Sequence, residues 1–571
     1  MKFPTRFREW CPETGKKADL MFVQHMLASL KPDGHMATVM PHGVLFRGGK
    51  EKLIRELFIK DDVIEGIISL PEGLFYGTGI PACVLVMNKN KPDALRGKVL
   101  FINADREYAE GKNQNKLRPE DIEKIDFVFS QKRELPKYSR LVDRKEIVET
   151  HDYSLNIRRY VDNTPEPEPE DVQAHLIGGI PEAEALARKS DFAKFGVLTK
   201  SLFQPERAGY LAFIPAIGSK DAIKAKLEAD PAVQKTTAAH HVALEAWWDV
   251  ARDDFAQLRD GKKMPDVRHE LLTTIKKKLV PLNVLDEFKS AGVFVNWWQQ
   301  IRYDLKTIVS TGWHHTLIPD SYLISAFFQK EADVIEGAET KINVAQGDLA
   351  EAVETAQEVA AYEPEDEETV TVAVIKKALK ELIDDLKDST GASAEKERKA
   401  LQAQEDAITA IEKRIKESKA ELKKLTDELE LKLQLKRLGG DEFKAESKEL
   451  LAQAETRIAK LDENKKEEKK EIAVLQKDKA ALQARIAKTD SLLASMGGPL
   501  NETEAKTLIL KKLYDLANEQ MNRYLNAEKK VLVHGVEQLW HKYALSSRIL
   551  EFQRAETLET VEASLKGLSY V

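Results

Sequence analysis

The opening segment of the chain alternates between apolar positions at helical spacing and short unbroken apolar runs. Phe22, Val23, Met26, Leu27 and Leu30 share one helical face, and Lys31-Pro32-Asp33-Gly34 ends that helix. Met36 to Met40 reads as a buried strand, stopped by Pro41-His42-Gly43. A second helix turns Leu53, Ile54, Leu57 and Phe58 inward, and a strand follows from Val63 to Leu70. A loop holding three glycines, two prolines and the pair Phe75-Tyr76 then leads into a last apolar run, Ala82 to Met87. Helices alternating with strands predict a mostly parallel sheet covered by helices. The last two strands, joined only by the loop, are expected to pair antiparallel.

Further along, the period changes to seven. Leu401, Ile408, Ile415, Leu422 and Leu429 repeat at that interval, with Ile411 and Leu425 between them. After Gly439-Gly440 comes a second series, Leu451, Ile458, Ile472, Ile486 and Leu493, with Leu461, Leu475 and Leu482 as its other seam. Heptads sustained this long predict a coiled coil, folded back antiparallel at the short glycine break. Lys465 and Lys479 fall on core positions of the second series and weaken it. After Gly497-Gly498-Pro499, amphipathic helices resume, with Leu513, Leu516, Tyr524, Leu525 and Trp540 as core. Between the sheet and the heptads, five of the seven tryptophans cluster in Trp247-Trp248, Trp297-Trp298 and Trp313. They predict the core of an α-helical domain rather than a stacking site. The domains expected are therefore 1–160 (α/β), 161–175 (an acidic Pro-Glu linker), 176–330 (helical), 331–498 (coiled-coil hairpin) and 499–571 (helical tail). The acidic run Glu363 to Glu368 reads as solvated loop.

A chain of 571 residues needs several cores. No apolar run approaches a membrane span and the first residues lack a signal-peptide core, so a cytoplasmic protein without membrane contact is expected. Cys11 and Cys83 form no disulfide framework, and Cys83 reads as packing. A net charge of −7 does not mark a nucleic-acid binder, so any DNA contact has to come from local patches or a partner. Several chemistries drop out. Gly43 to Glu51 has the wrong spacing for a phosphate loop, and Glu51 stands where Ser or Thr would hold magnesium. His240-His241 and His314-His315 are adjacent pairs, without the spacing of zinc ligands on a helix.

Several motifs together carry a resemblance. They are Lys16 to Phe22, Leu30 to Gly34, Met40 to Gly49, Leu70-Pro71 to Pro81, Gly111 to Leu117, and Asp152 to Ile157. In combination they resemble the modification subunit of type I restriction-modification systems over about the first third of the chain. That family transfers a methyl group from S-adenosylmethionine to the exocyclic amine of adenine in duplex DNA, which requires the base to leave the stack. The resemblance implies that DNA, a DNA-specificity subunit and a restriction subunit are partners. It also implies that residues 1–160 form the C-terminal half of a Rossmann-like methyltransferase sheet. The family's glycine-rich cofactor loop and its Asn/Asp-Pro-Pro-Phe motif are not found here. The chain alone is therefore expected neither to bind the cofactor nor to catalyse. A shortened product, a split enzyme completed by a second chain, and a fragment kept for its downstream half all remain open.

On that resemblance Phe75 or Tyr76 stacks on the extruded adenine, and the alternative is that both rings pack onto the sheet. Pro41, His42 and Gly43 face the same crevice, where His42 either touches the base or a phosphate, or serves as a hydrogen-bonded structural residue. Gly77, Thr78, Gly79 and Pro81 complete the loop, the glycines supplying its geometry. Lys16, Lys17, Arg47, Lys50, Lys52 and Arg55 form the nearest basic cluster, either meeting DNA phosphates or simply solvated. The segment Gly111 to Leu117 has no evident mechanism. Against the enzyme-subunit reading stands a non-catalytic assembly protein that docks through its coiled coil.

Overall fold

The computed structural model describes residues 4–10, 18–165, 167–258, 261–363, 370–387, 391–462 and 465–568. The chain divides into two compact units, residues 1–305 with 514–571, and residues 306–513. Both divisions fall inside helices, Glu287–Thr311 and Glu502–Tyr543. Most of the acidic run, residues 364–368, lies outside the described residues.

The first unit begins with α1 (Asp19–Ser29), β1 (His35–Pro41), α2 (Lys50–Lys60), β2 (Ile64–Ser69), β3 (Ala82–Asn88), β4 (Lys98–Asn103), α3 (Pro119–Gln131) and β5 (Ser139–Asp143). The five strands form one sheet in the order β1-β3-β2-β4-β5. As expected, β2 and β3 run antiparallel, with Ser69 opposite Cys83. The sheet is mixed, however, and not mostly parallel. Only β2 and β4 run parallel, because the β2–β3 and β4–β5 connections return the chain beside itself.

Side chains alternate across the sheet and build two cores. Ile64, Ile67, Cys83, Leu85 and Phe101 meet α1 and α2 on one face, and Ile68, Leu100 and Ile102 meet α3 on the other. Gly66 lets α3 come close, since a Cβ there would lie 3.0 Å from the Phe129 ring. Burial pushes the Cys83 thiol up to about 12, as suits an inert core residue. Two helical faces differ from expectation. In α1 the inward residues are Leu20, Met21, Val23 and Gln24, and Phe22 points to solvent. In α2 Ile54 and Phe58 are buried and Leu53 is exposed. The strand β1 is not buried. It pairs only with β3 among the described residues, and Val39 is exposed.

The rest of this unit is mainly helical, with a small sheet of β6 (Ile180–Pro181), β7 (Phe203–Arg207) and β8 (Tyr210–Phe213) that the tryptophan pattern does not announce. Trp247, Trp248, Trp297 and Trp298 do form a core, with Phe255 and Phe294, between the helices Pro231–Gln257 and Glu287–Thr311. Tyr524 and Leu525 are buried in this unit as well.

In the second unit Leu401, Ile408 and Ile415 are buried on the helix Ala392–Ile458, as their spacing predicts. The partners of Leu401 and Ile408 are the helices Gln329–Val359 and Val372–Asp385, through Val353, Ala356, Ile375 and Leu379. Gly439, at φ 75°, breaks the helix, and Phe443 returns onto Leu431 and Leu435. Lys465 is an exposed residue ahead of the helix Lys466–Ser495, not a core position. Lys479 is satisfied at its half-exposed place by Glu455 at 2.6 Å. No helix among the described residues is long and apolar enough to cross a membrane.

Candidate functional site

The register of the large sheet brings Pro41, Ser69, Ala82 and Asn103 to one edge. Loops leaving the carboxyl ends of parallel strands are where α/β sheets build ligand crevices. A cavity of about 680 Å³ opens there. Its walls include His42 after β1, Ser69 at the end of β2 and Glu72 after it, Pro81 before β3, and Asp105 and Tyr108 after β4.

His42 sits in the wall with its Nε2 at 3.0 Å from the Ala82 carbonyl and 3.2 Å from Ser69 Oγ. Burial lowers its pKa, against the opposing pull of the Ala82 carbonyl and Asp105, so the ring is neutral at neutral pH and Nε2–H donates to Ala82. It therefore fastens the base of the Leu70–Pro81 loop, and it also lines the cavity. Asp105 receives Asn163 Nδ2 at 2.6 Å and the Arg158 guanidinium at 3.2 Å.

Phe75 and Tyr76 do not pack onto the sheet. They are 40 % and 87 % exposed, and the loop from Phe75 to Ile80 projects into solvent without lining the cavity. Gly77 holds a left-handed φ of 74°, whereas Gly79 does not need one. Thr78 Oγ1 accepts from the Ile80 amide at 3.1 Å.

The basic cluster is largely turned to internal partners. Arg55 is buried, donating to the Val44 carbonyl at 3.1 Å and the Tyr153 carbonyl at 3.3 Å, and so drops out as a phosphate contact. Arg47 lies 3.4 Å from Glu51, Lys50 3.8 Å from Glu9, and Lys52 2.6 Å from Asp152. Lys16 and Lys17 lie outside the described residues. The cations at the cavity itself are Arg106 and Arg158; neither they nor the lining residues Ser69, Asp105 and the exposed Phe46 stand out in the sequence as site residues. Their signal was positional, since Ser69 ends β2 and Asp105 follows β4, the two parallel strands.

A nucleoside cofactor requires a turn where its phosphate-free sugar and base can approach backbone closely, a task usually given to glycine. The parallel strands end instead in Leu70-Pro71 and Ala104-Asp105, with Asp105 already bonded within the chain.

A sheet flanked by helices on both faces, with a crevice at its strand ends, defines an α/β fold. Comparison with known proteins narrows it. Residues 2–169 match the N-6 DNA Methylase family model. The chain is 43% identical over 158 residues to the type I restriction enzyme MjaVIII methylase subunit of Methanocaldococcus jannaschii, covering 27% of this chain and 26% of that one. It is 36% identical to the type I restriction enzyme MpnII methylase subunit of Mycoplasma pneumoniae, over 28% of each. Among solved structures, the type I restriction-modification methyltransferase subunit from Streptococcus thermophilus is 42% identical over 28% of this chain and 33% of its own, with a TM-score of 0.26. The resemblance carried by the motifs thus holds for the N-terminal part, and the chain spans about a quarter of the length of the curated relatives it matches.

Proposed function

We propose that the chain is a subunit of a site-specific N6-adenine DNA methyltransferase of a type I restriction-modification system, contributing the target-base side of the active site and contacts between subunits. The match of residues 2–169 to the N-6 DNA Methylase family carries this reading. A cavity at the strand ends large enough for an extruded base supports it, as does an exposed aromatic pair on the loop between β2 and β3. On this reading Phe75 or Tyr76 stacks on the adenine, His42 and Pro81 form the wall beneath, and Arg106 and Arg158 face the backbone phosphates. A DNA-specificity subunit selects the site and a restriction subunit completes the system. S-adenosylmethionine is bound by the complete enzyme, with its pocket supplied by a further chain. The outer edge of β1, which has no neighbouring strand among the described residues, supports a partner of that kind. The helices Ala392–Ile458 and Lys466–Ser495 serve as coiled-coil contacts.

The test is transfer of a labelled methyl group to adenine by the chain reconstituted with those partners. Phe75→Ala and Tyr76→Ala should slow it roughly 5- to 150-fold, the worth of a base–aromatic stack. Unchanged rates in both would refute the stacking role. Labelled S-adenosylmethionine should not bind saturably to the chain alone, and saturable binding would overturn the assignment of that pocket to a partner.

One observation favours a second reading, a non-catalytic assembly protein. The helix Ser547–Gly567 has no buried residue, and Leu558, Val561 and Leu565 form an exposed apolar stripe fit for a partner helix. A reconstituted complex that needs the chain to assemble, yet methylates equally with a chain deleted for residues 1–160, would favour it.

A further inference from the structure

The polar segment Gly111 to Leu117 finds its partner about forty residues earlier in the chain, in the loop that carries Phe75 and Tyr76. Gln114 Nε2 donates to the Leu74 carbonyl at 2.7 Å, and Asn115 Nδ2 donates to the Glu72 carbonyl at 2.9 Å. The Asn115 backbone amide donates to the Gly73 carbonyl at 2.9 Å. Three successive loop carbonyls are thus gripped by two neighbouring residues. The gripping segment is itself a small closed hairpin, with Ala109 and Lys116 exchanging both backbone hydrogen bonds. The Asn115 Oδ1 receives the Gly111 amide at 3.3 Å, which fixes the orientation of the side-chain amide. Gly111 is required at the turn, because a Cβ there would lie 2.1 Å from the Gln114 carbonyl oxygen. Beneath, Leu74 and Leu117 pack on the core around α3.

The other end of the loop is fastened separately. The Leu70 amide donates to Ala82 at 2.9 Å, and His42 Nε2 reaches the same carbonyl at 3.0 Å. Between the two fastenings only Phe75 to Ile80 is exposed, so the rings sit on a short tip anchored on both sides.

We propose that Gln114 and Asn115 are positioning residues that hold the stem of this loop and thereby set the angle at which Phe75 and Tyr76 meet a base. The proposal rests on the stacking reading above and adds to it the residues that act through the rings. Neither side chain serves a core, and their amide donors are spent on the loop's backbone.

Isosteric exchange of donor for acceptor, Gln114→Glu and Asn115→Asp, tests it in the full chain. Two readouts are needed. One is hydrogen–deuterium exchange over residues 70–75 and 109–117. The other is fluorescence quenching of 2-aminopurine, placed opposite a mismatch in a DNA duplex, at saturating protein. Both variants should exchange roughly tenfold faster over these segments, the scale of a lost hydrogen bond. Their thermal unfolding midpoints should stay unchanged, and each should lose quenching amplitude as Tyr76→Ala does. Exchange at the wild-type rate overturns the clamp. A loosened stem with full quenching overturns the positioning role, even if Phe75→Ala and Tyr76→Ala abolish the signal. Absence of quenching in the wild type, or its persistence in both ring variants, counts instead against the stacking reading, and the exchange measurement still decides the clamp.

Discussion

At the scale of single residues, His42 shows how one side chain serves a wall and a fastening together. Its pKa is lowered, chiefly by burial, so the native state keeps the ring neutral while the unfolded chain binds a proton below about pH 6.5. Stability from this residue is therefore present above that pH and is lost as pH falls toward the lower native value. His240, buried and bonded to the Thr236 carbonyl at 2.8 Å, is shifted the same way, again mainly by burial. Urea midpoints should accordingly fall between about pH 7 and pH 5, and His42→Gln should make that slope shallower. A slope identical to wild type would contradict the assignment. The sequence offered His42 as either a ligand contact or a structural residue, and the ring both bonds to the Ala82 carbonyl and lines the cavity. What no local pattern conveyed was Gln24, a polar residue on the inward face of α1. Its amide is satisfied by the Arg8 amide at 3.0 Å and the Glu9 carbonyl at 2.8 Å, so it can sit on the buried face while Phe22 is exposed.

At the scale of elements, Leu401, Ile408 and Ile415 read correctly as inward-facing, but the helices that cover Leu401 and Ile408 are not the ones their spacing suggested. The series starting at Leu401 finds the alanine-rich helix Gln329–Val359, whose small side chains give a weak apolar signal though Ala338, Ala345 and Ala356 are buried. Ile408 is fully buried between these helices. Ile408→Ala should cost about 2–5 kcal/mol by removing buried methylenes and leaving a cavity. The same change at Val474, which is exposed, should stay within about 0.5 kcal/mol. Chemical denaturation of the two variants checks the contrast. The sheet was similarly half legible. The β2–β3 pairing followed from the loop between them, whereas the antiparallel β5 and the edge position of β1 depend on contacts between strands distant in sequence.

At the scale of the first unit, its two ends are joined by buried polar contacts rather than by apolar packing alone. The Tyr524 hydroxyl donates to Glu120 Oε2 at 2.5 Å and accepts from Asn296 Nδ2 at 2.8 Å. Gly292 makes room for them, since a Cβ there would lie 2.4 Å from that hydroxyl and 2.8 Å from the Glu120 Cβ. Nearby, Glu528 takes Lys194 at 2.7 Å and Lys289 at 2.5 Å. Burial raises its pKa, but the two ammonium groups outweigh that and hold the carboxyl below the usual range. Tyr524→Phe strands a buried carboxylate oxygen and one N–H of the Asn296 amide, whose other bond to the Gly292 carbonyl at 2.9 Å remains, and should destabilise this unit by about 1–3 kcal/mol. An unchanged urea midpoint would show that water or rearrangement replaces the lost hydroxyl. None of this could be read from sequence, because Glu120 and Tyr524 are some four hundred residues apart.

The bare margin of β1 bears on how the molecule behaves in the laboratory. Along seven residues, His35 to Pro41, one row of backbone donors and acceptors is left without a neighbouring strand among the described residues, beside the exposed Val39. Such a margin is sticky toward its own kind. Purified by itself at high concentration, this chain should tend to precipitate, and co-expression with whatever strand caps that margin should keep it in solution.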